Sequence, residues 1–403
     1  MARPQLELAD IFRQYGEEYR NKYGRVMSSE HRRVMQAIER CRTSALGGHV
    51  DECDACGHRV ISYNSCRNRH CPKCQSLAKA QWLDARKAEI LPVGYYHVVF
   101  TLPELLAPLA LQNKTAIYNI LFHAASSALL TIASDPQHLG ADIGFVAVLH
   151  TWGQNLMHHP HVHCVVTGGG LSPDKRRWVP CRKRFFLSVK VLSRIFRRLF
   201  LHLLDNAFTK GELRFHGDLN YLSDPLAFES LAKACRAKEW VVYAKPPFGG
   251  PEKVLDYLGR YTHRIAISNH RLIEMNNGRV TFTWKNYKEN GQRQTMTLDA
   301  YEFIRRFLLH VLPDGFVRMR YYGLLANCHR ARELQRCREL LNVSGAPDTD
   351  TSQEQTWVEL LVALTGKDPL QCPKCKDGRL VRIQTVEPSS SFHERVTPKA
   401  HSP

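Results

Sequence analysis

The stretch HHPHVHCVVTGGG, residues 158–170, combines four histidines with β-branched residues and ends in three glycines. Alternate side chains of a β-strand point to the same face, so a strand here places His161 and His163 together and turns Val162 away. Two imidazoles about 6 to 7 Å apart on one strand can hold one divalent ion. We therefore predict a metal site on this strand. Surface histidines that cap a turn are the competing interpretation.

The predicted metal site needs a third ligand and open positions for a substrate. Gln154, seven residues before His161, is the best-placed oxygen donor. A mixed imidazole and amide-oxygen site with water suits weakly bound Mg²⁺ or Mn²⁺ better than structural zinc. Such an ion would act as a Lewis acid on a scissile phosphate.

The sequence on both sides of this strand mixes strands and helices without regular alternation. We predict strands at 95–102, 145–151, 161–167 and 240–244, helices at 114–133 and 189–208, and a hairpin of 271–275 with 279–285 across Asn276-Asn277-Gly278. One hairpin and irregular element order favour an α+β fold around an antiparallel sheet.

A short basic helix is predicted from the sequence PEKVLDYLGRYTHRI, residues 251–265. Tyr257 and Tyr261 are four residues apart and therefore share a helix face. A phenol with a pKa near ~10 is a poor nucleophile, but nearby cations and a polarised phosphate make its attack feasible. Core packing or stacking on bases is the alternative for these tyrosines. The same helix carries candidate DNA contacts at Lys253, Arg260, His263 and Arg264.

Two CxxC motifs, Cys53-x2-Cys56 and Cys71-x2-Cys74, predict a structural zinc site near the front of the chain. Four thiolates in a tetrahedron close such a site and leave no position for catalytic water. Cys66 and His70 lie between the motifs and are candidates to replace a ligand or to serve a second site. Neighbouring cations that we expect to contact DNA are Arg67, Arg69 and Lys73. A further pair, Cys372 and Cys375, has no matching pair nearby in sequence.

The overall composition favours a polyanionic partner. Lys and Arg number 56 against 38 Asp and Glu, a formal net charge of +18 over 403 residues. Nucleic acid is the default partner for such an excess, and a role in solubility is the alternative. No stretch approaches the ~20 apolar residues of a spanning helix, and the N-terminus lacks a signal-peptide core, so we expect a cytoplasmic protein with no membrane partner. In that compartment the 13 cysteines favour metal over disulfides.

Taken together, the cysteine-rich front end, the His-hydrophobic-His string and the YLGRYTHR helix resemble the rolling-circle transposases of the insertion-sequence-91 family. This family belongs to the HUH (His-hydrophobic-His) endonuclease superfamily, and the resemblance spans roughly residues 10–340. It implies a palm-like nuclease sheet flanked by helices, whose central strand carries His161 and His163. It also implies that Tyr257 and Tyr261 are paired nucleophiles and that Gln154 occupies the place of an acidic or polar third ligand.

The activity implied by the resemblance is cleavage and rejoining of single-stranded DNA through 5′-phosphotyrosine intermediates. The implied partners are transposon ends and target DNA in the bacterial nucleoid. Because the chain has no Walker-type phosphate loop, a host helicase or the replication machinery would separate the strands. A plasmid replication initiator or relaxase, and a zinc-dependent DNA-binding protein without catalysis, are the alternatives.

The expected domain order follows the motifs along the chain. Residues 1–92 would form a helical and zinc-binding DNA-recognition domain, and 93–290 the nuclease domain with a basic insert at about 170–238. Residues 291–345 would form a helical extension, followed at 346–403 by the second cysteine pair and a disordered tail.

Overall fold

The fold is that of a computed structural model, which describes residues 6–389 except 88, 183–186, 246–253, 255–258, 260–264, 287–288, 290, 344–355, 357, 360 and 363–365. The described helices are α1 Leu8–Tyr23, α2 Ser29–Arg40, α3 Pro72–Lys87, α4 Ala107–Gln112, α5 Lys114–Ser134, α6 Val189–Thr209, α7 Pro225–Ala237, α8 Ala300–Leu309 and α9 Arg330–Leu340. The described strands are β1 Gly48–Cys53, β2 Arg59–Tyr63, β3 Tyr95–Thr101, β4 Asp142–Trp152, β5 His158–Leu171, β6 Trp178–Pro180, β7 Val242–Lys245, β8 Leu272–Asn276, β9 Arg279–Asn286, β10 Gln292–Asp299, β11 Met319–Gly323 and β12 Leu380–Val386.

The chain divides into two compact units that alternate along the sequence. One comprises Met1–Trp82, Ile267–Val311 and Ser352–Pro403, and the other comprises Leu83–Ala266 and Leu312–Thr351. We call them the zinc unit and the sheet unit. This division differs from the expected consecutive domains, because residues 267–311 and the C-terminal segment belong with the N-terminus. The expected boundary at 290 falls inside the first of these segments.

The sheet unit is built around an antiparallel sheet in the order β11-β4-β5-β3-β7, with β6 paired to β5. The α+β prediction is therefore confirmed, and β5, which carries His161 and His163, is the central strand. β4 and β5 form a long hairpin in which His150 pairs with His161 and Val148 with His163. Gly323 on β11 has φ of +59°, and a Cβ there would overlap the carbonyl oxygen of Ile143.

The two faces of this sheet carry different chemistry because side chains alternate along each strand. Phe100, Leu149 and Val162 face a large apolar core that also includes residues of α5 and α6. The pairing register puts His150, His161 and His163 on the opposite face. The apolar face packs against the core, and the opposite face carries the histidines.

Helix α5 corrects one expectation from the sequence. It spans 21 residues, and its length and apolar composition alone would allow it to cross a membrane. The described helix packs in the protein core instead, because 61% of its most apolar 18-residue stretch is buried. Its small and apolar side chains pack against α6 and the sheet.

The zinc unit holds two three-stranded antiparallel sheets, β12-β1-β2 and β10-β9-β8, and helices α1, α2 and α8. The β8–β9 hairpin turns at Asn277 and Gly278, whose φ values of +47° and +72° suit a two-residue hairpin turn. Phe12 of α1 packs edge-on against Phe307 of α8, with ring centroids 5.4 Å apart. In the first of these sheets, β12 of the C-terminal segment pairs with β1 near the N-terminus.

Candidate functional site

Three histidines meet on the polar face of the central sheet. One ring nitrogen each from His150, His161 and His163 lies within 4.8 Å of the others. His150 and His163 are buried, whereas His161 is half-buried. Three imidazoles from two neighbouring strands form a donor set that can hold a divalent ion with positions left open.

A hydrogen bond to the backbone sets which ring nitrogen of His161 carries the proton. Its Nδ1 lies 2.7 Å from the carbonyl oxygen of His159. A carbonyl oxygen can only accept, so Nδ1 must carry the proton and Nε2 keeps its lone pair. Such a second hydrogen bond is the usual way in which proteins orient a ligating histidine.

A fourth histidine, His97 of β3, supports His163. The Nε2 of His97 lies 2.8 Å from the Nδ1 of His163, and the two rings stack 5.0 Å apart. Burial, with help from Lys245 and His161, lowers the pKa of His97 to about 3, so its ring is neutral at physiological pH. In the tautomer in which His97 Nε2 accepts from the Nδ1–H of His163, the lone pair of the His163 ring is on Nε2.

The sequence predicts Gln154 as the third ligand, whereas the third member of the cluster is His150. Gln154 lies in the turn between β4 and β5, and its role as a ligand stays a prediction. His150 was missed, although it lies near the end of β4 and pairs directly with His161 near the start of β5. The register of a β4–β5 hairpin would have identified it.

The predicted nucleophiles, Tyr257 and Tyr261, lie outside the described residues, as do the DNA contacts predicted at Lys253, Arg260, His263 and Arg264. In that segment Val254 and Gly259 are described as helical and buried. The tyrosine assignment therefore stays a prediction.

The zinc ligands are grouped differently from the expected single site. Cys71 and Cys74 meet Cys41 and Cys66, not Cys53 and Cys56. The Sγ atom of Cys41 lies 3.6 Å from that of Cys74 and 3.6 Å from that of Cys71, and Cys66 lies 3.6 Å from Cys74. Zn–S bonds of about 2.3 Å in a tetrahedron place sulfurs about 3.8 Å apart, so these thiols fit zinc.

The other CxxC motif, Cys53 and Cys56, lies with Cys372 and Cys375 in a second group of four. The expectation that one zinc joins the two N-terminal motifs is therefore wrong, because the chain folds β12 onto β1 and brings the distant cysteine pair to the first motif. His70 is buried and lies in neither group among the described residues.

The three basic residues beside the cysteines differ in their availability to DNA. Arg67 is exposed and Arg69 is half-buried. Lys73 is not placed to bind phosphate, because its side chain is only 10% exposed and its Nζ lies 2.5 Å from the Glu7 carboxylate. Burial also lowers the pKa of Lys73. The prediction that Lys73 contacts DNA therefore disagrees with this ion pair, whereas contacts from Arg67 and Arg69 stay predictions.

Comparison with known proteins connects both sites to one class. Residues 144–332, which include the three histidines, match a family described as "Putative transposase", and residues 11–102 match one described as "Transposase zinc-binding domain". The chain is 56% identical over 387 residues to "Putative transposase y4qJ" of Sinorhizobium fredii, covering 96% of this chain and 97% of that protein. The chain belongs to the insertion-sequence-91 family of transposases.

A second relative agrees with this assignment. The transposase is 28% identical over 339 residues to the "Transposase for insertion sequence element IS801" of Pseudomonas savastanoi, covering 83% of this chain and 79% of that protein. No solved structure matches the transposase. The family resemblance of the motifs is confirmed, and the protein is a DNA-rearranging enzyme of the rolling-circle type with a zinc-binding domain.

Proposed function

We propose that the transposase cuts and rejoins single-stranded DNA at the histidine cluster, with Tyr257 and Tyr261 as nucleophiles. The observation that carries this proposal is the convergence of His150, His161 and His163 on the polar face of the central sheet. Three imidazoles whose ring nitrogens lie within 4.8 Å of one another are a donor set suited to a divalent ion.

The proposed ion is Mn²⁺ or Mg²⁺ held by these three rings. Imidazole nitrogens are poor ligands for Mg²⁺, so an all-histidine set favours Mn²⁺ of the two, and participation of Gln154 would make Mg²⁺ more suitable. When bound, the ion would supply Lewis-acid polarisation of the scissile phosphate.

In the proposed reaction one tyrosine hydroxyl gives up its proton and its oxygen attacks the phosphorus. The bond from phosphorus to the 3′ oxygen breaks, and that oxygen leaves as a 3′-hydroxyl after taking up a proton. The downstream strand stays attached to the enzyme as a 5′-phosphotyrosine. Rejoining reverses the chemistry: a 3′-hydroxyl attacks the phosphotyrosine and displaces the phenol, so no ATP is consumed. The second tyrosine would cut a second strand while the first is occupied.

The substrates that fit this proposal are transposon ends and target DNA in single-stranded form. Strand separation would then come from a host helicase or from replication, and the protein would act at the nucleoid. The formal net charge of +18 supports a polyanionic substrate.

The test is formation of a covalent protein–DNA adduct. Purified transposase is incubated with Mn²⁺ and a single-stranded end sequence labelled at its 3′ end, and products are separated on a denaturing gel. We expect a protein-linked band that disappears in the Tyr257→Phe/Tyr261→Phe variant, while DNA binding is retained. Loss of two hydroxyls removes the nucleophile but not the basic surface.

The matched control is Tyr221→Phe, since Tyr221 is 60% exposed and lies outside the site. This variant should form the adduct normally. An adduct that persists in the double variant would move the nucleophile elsewhere. No adduct from the unmodified protein with Mn²⁺ or Mg²⁺ would favour a DNA-binding role without catalysis.

A further inference from the structure

The second group of four cysteines joins residues more than 300 positions apart in the chain. Cys53 Sγ lies 3.6 Å from Cys375 Sγ, and Cys56 Sγ lies 3.7 Å from Cys372 Sγ. A disulfide requires about 2.05 Å between sulfurs, whereas tetrahedral zinc places them about 3.8 Å apart. The spacing therefore fits four thiolates around one ion.

The two CxxC segments of this group share a backbone conformation. Gly57 and Lys376, which directly follow the second cysteine of each pair, have φ values of +66° and +64°. The N–H of each donates to the carbonyl of the first cysteine of its own pair, at 3.0 Å in both cases. A positive φ is uncommon for a lysine. Because Lys376 adopts the same φ as Gly57, both segments form the same defined turn. Both segments present two thiols from a tight turn, as zinc knuckles do.

Backbone groups around the cysteines support the site from outside. The N–H of Gly378 lies 3.4 Å from Cys375 Sγ, and a Cβ on Gly378 would overlap Cys53 Sγ. Asp54 and Arg379 exchange two hydrogen bonds: Arg379 N–H to the Asp54 carboxylate at 2.8 Å and Asp54 N–H to the Arg379 carbonyl at 3.1 Å. These contacts fix one knuckle against the other.

The strand that follows the second knuckle has little apolar surface to hold it. β12 pairs along the whole of β1, yet its side chains are mostly exposed, including Val381 at 53% and Ile383 at 49%. A strand with so little burial needs another source of attachment, because backbone hydrogen bonds alone contribute only modestly in water. A metal ion shared with Cys53 and Cys56 would provide it.

We propose that Cys53, Cys56, Cys372 and Cys375 form a second structural zinc site, which fastens the C-terminal strand β12 to the N-terminal zinc-binding domain. The matched zinc-binding domain ends at residue 102, so half of this ligand set lies outside it. With four thiolates and no open position, the site holds structure and takes no part in DNA cleavage.

The test is the zinc content of the full-length protein. Native mass spectrometry and elemental analysis of the unmodified transposase should give about two zinc ions per chain, as expected for two closed four-cysteine sites. The Cys372→Ser/Cys375→Ser variant should hold about one. Limited proteolysis should then cut the C-terminal segment of the variant at least tenfold faster than that of the unmodified protein.

Cys328→Ser is the matched control, because Cys328 is exposed and lies in neither cysteine group. It should retain both ions and normal protease resistance. Metal analysis of the unmodified protein does not depend on how a variant folds. One zinc per chain in that protein, a disulfide between these cysteines, or two ions retained by the double variant would each overturn the proposal.

Discussion

The His150 ring is held from two sides before any ion binds. It stacks on the Trp152 indole with ring centroids 4.6 Å apart, and its edge meets His163 at 4.4 Å. Only 2% of the residue is exposed, so the ring has little room to turn away. A ligand fixed in this way loses little rotamer entropy on coordination, which favours affinity.

Loss of an outer-sphere partner of a metal ligand weakens metal binding by about 10- to 100-fold. We therefore expect His150→Ala, which removes a ligand itself, to weaken Mn²⁺ binding by at least about 10-fold. Gln154→Ala should change the affinity much less if His150 is the third ligand. Titration calorimetry with Mn²⁺ on the DNA-free protein measures both variants.

The surface histidine His138 offers a control, and His138→Ala should bind Mn²⁺ normally. The reverse ranking, with Gln154→Ala the weaker binder, would restore the amide as third ligand and assign His150 to packing.

Site residues that follow a local spacing in one strand can be predicted from the sequence. Site residues that come together only through strand pairing cannot. His161 and His163 follow from the alternation of one strand. His150 becomes their neighbour only through the hairpin register that pairs it with His161. Cys41 and Cys66 carry no CxxC signal, and Cys53 meets partners that lie more than 300 positions further along the chain. Spacing rules do not reach such distances.

Among the secondary-structure elements, α5 and β5 are joined by a partly buried polar contact. The Tyr118 hydroxyl lies 2.8 Å from the Nε2 of His158. Burial raises the pKa of Tyr118, so the phenol stays protonated and donates. Burial also lowers the pKa of His158 to about 4, so its ring is neutral in the folded protein.

This contact predicts a pH dependence of stability. Between pH 6.5, the ordinary pKa of histidine, and about 4 the unfolded chain binds a proton at His158 that the folded chain does not. The contribution of His158 is therefore fully present above pH 6.5 and is lost as the pH falls toward 4. The free-energy difference between unmodified protein and His158→Gln should shrink over this range, by at most about 1.4 kcal/mol per pH unit.

Urea unfolding at several pH values measures this difference. His138→Gln, at an exposed position, should leave the pH dependence unchanged. Parallel pH profiles for His158→Gln and the unmodified protein would contradict the assignment of a neutral buried ring.

Elements with strong local signals were predicted well. The helix expected at 114–133 is α5, Lys114–Ser134, and the hairpin expected across Asn276–Gly278 is β8–β9. β5 extends beyond its predicted limits at both ends, to His158 and Leu171. Its glycine run continues the strand because Gly169 and Gly170 pair with β6, a partner that no local pattern announces.

For the molecule as a whole, the excess of positive charge predicts salt-sensitive binding of DNA. Single-stranded DNA binding that neutralises about five phosphates gives a slope of log affinity against log salt near −3.5. We expect a slope at least about this steep between roughly 50 and 200 mM salt. Fluorescence anisotropy with a labelled oligonucleotide measures it.

A peptide nucleic acid of the same base sequence has no phosphates and serves as the control ligand. It should bind weakly and with little response to salt. Equal salt responses for both ligands would show that the formal charge of +18 serves solubility alone.

The division into two interleaved units is the feature of the whole molecule that local sequence patterns could not supply. Expected domains followed the order of motifs, whereas the zinc unit is assembled from three separate segments. The C-terminal segment joins the N-terminus through pairing of β12 with β1, and residues 267–311 join it through packing such as that of Phe307 on Phe12. Contacts at such separations leave no periodic trace in the sequence.

The pairing of β12 with β1 also sets when this protein can finish folding during synthesis. A ribosome makes the chain from the N-terminus, so residues 48–53 emerge more than 300 codons before the strand that flanks them. Until then β1 has an open edge, which is the kind of surface that chaperones cover and that associates wrongly with other chains. A message truncated before codon 372 would yield a polypeptide that keeps every histidine of the sheet but leaves that edge permanently uncovered.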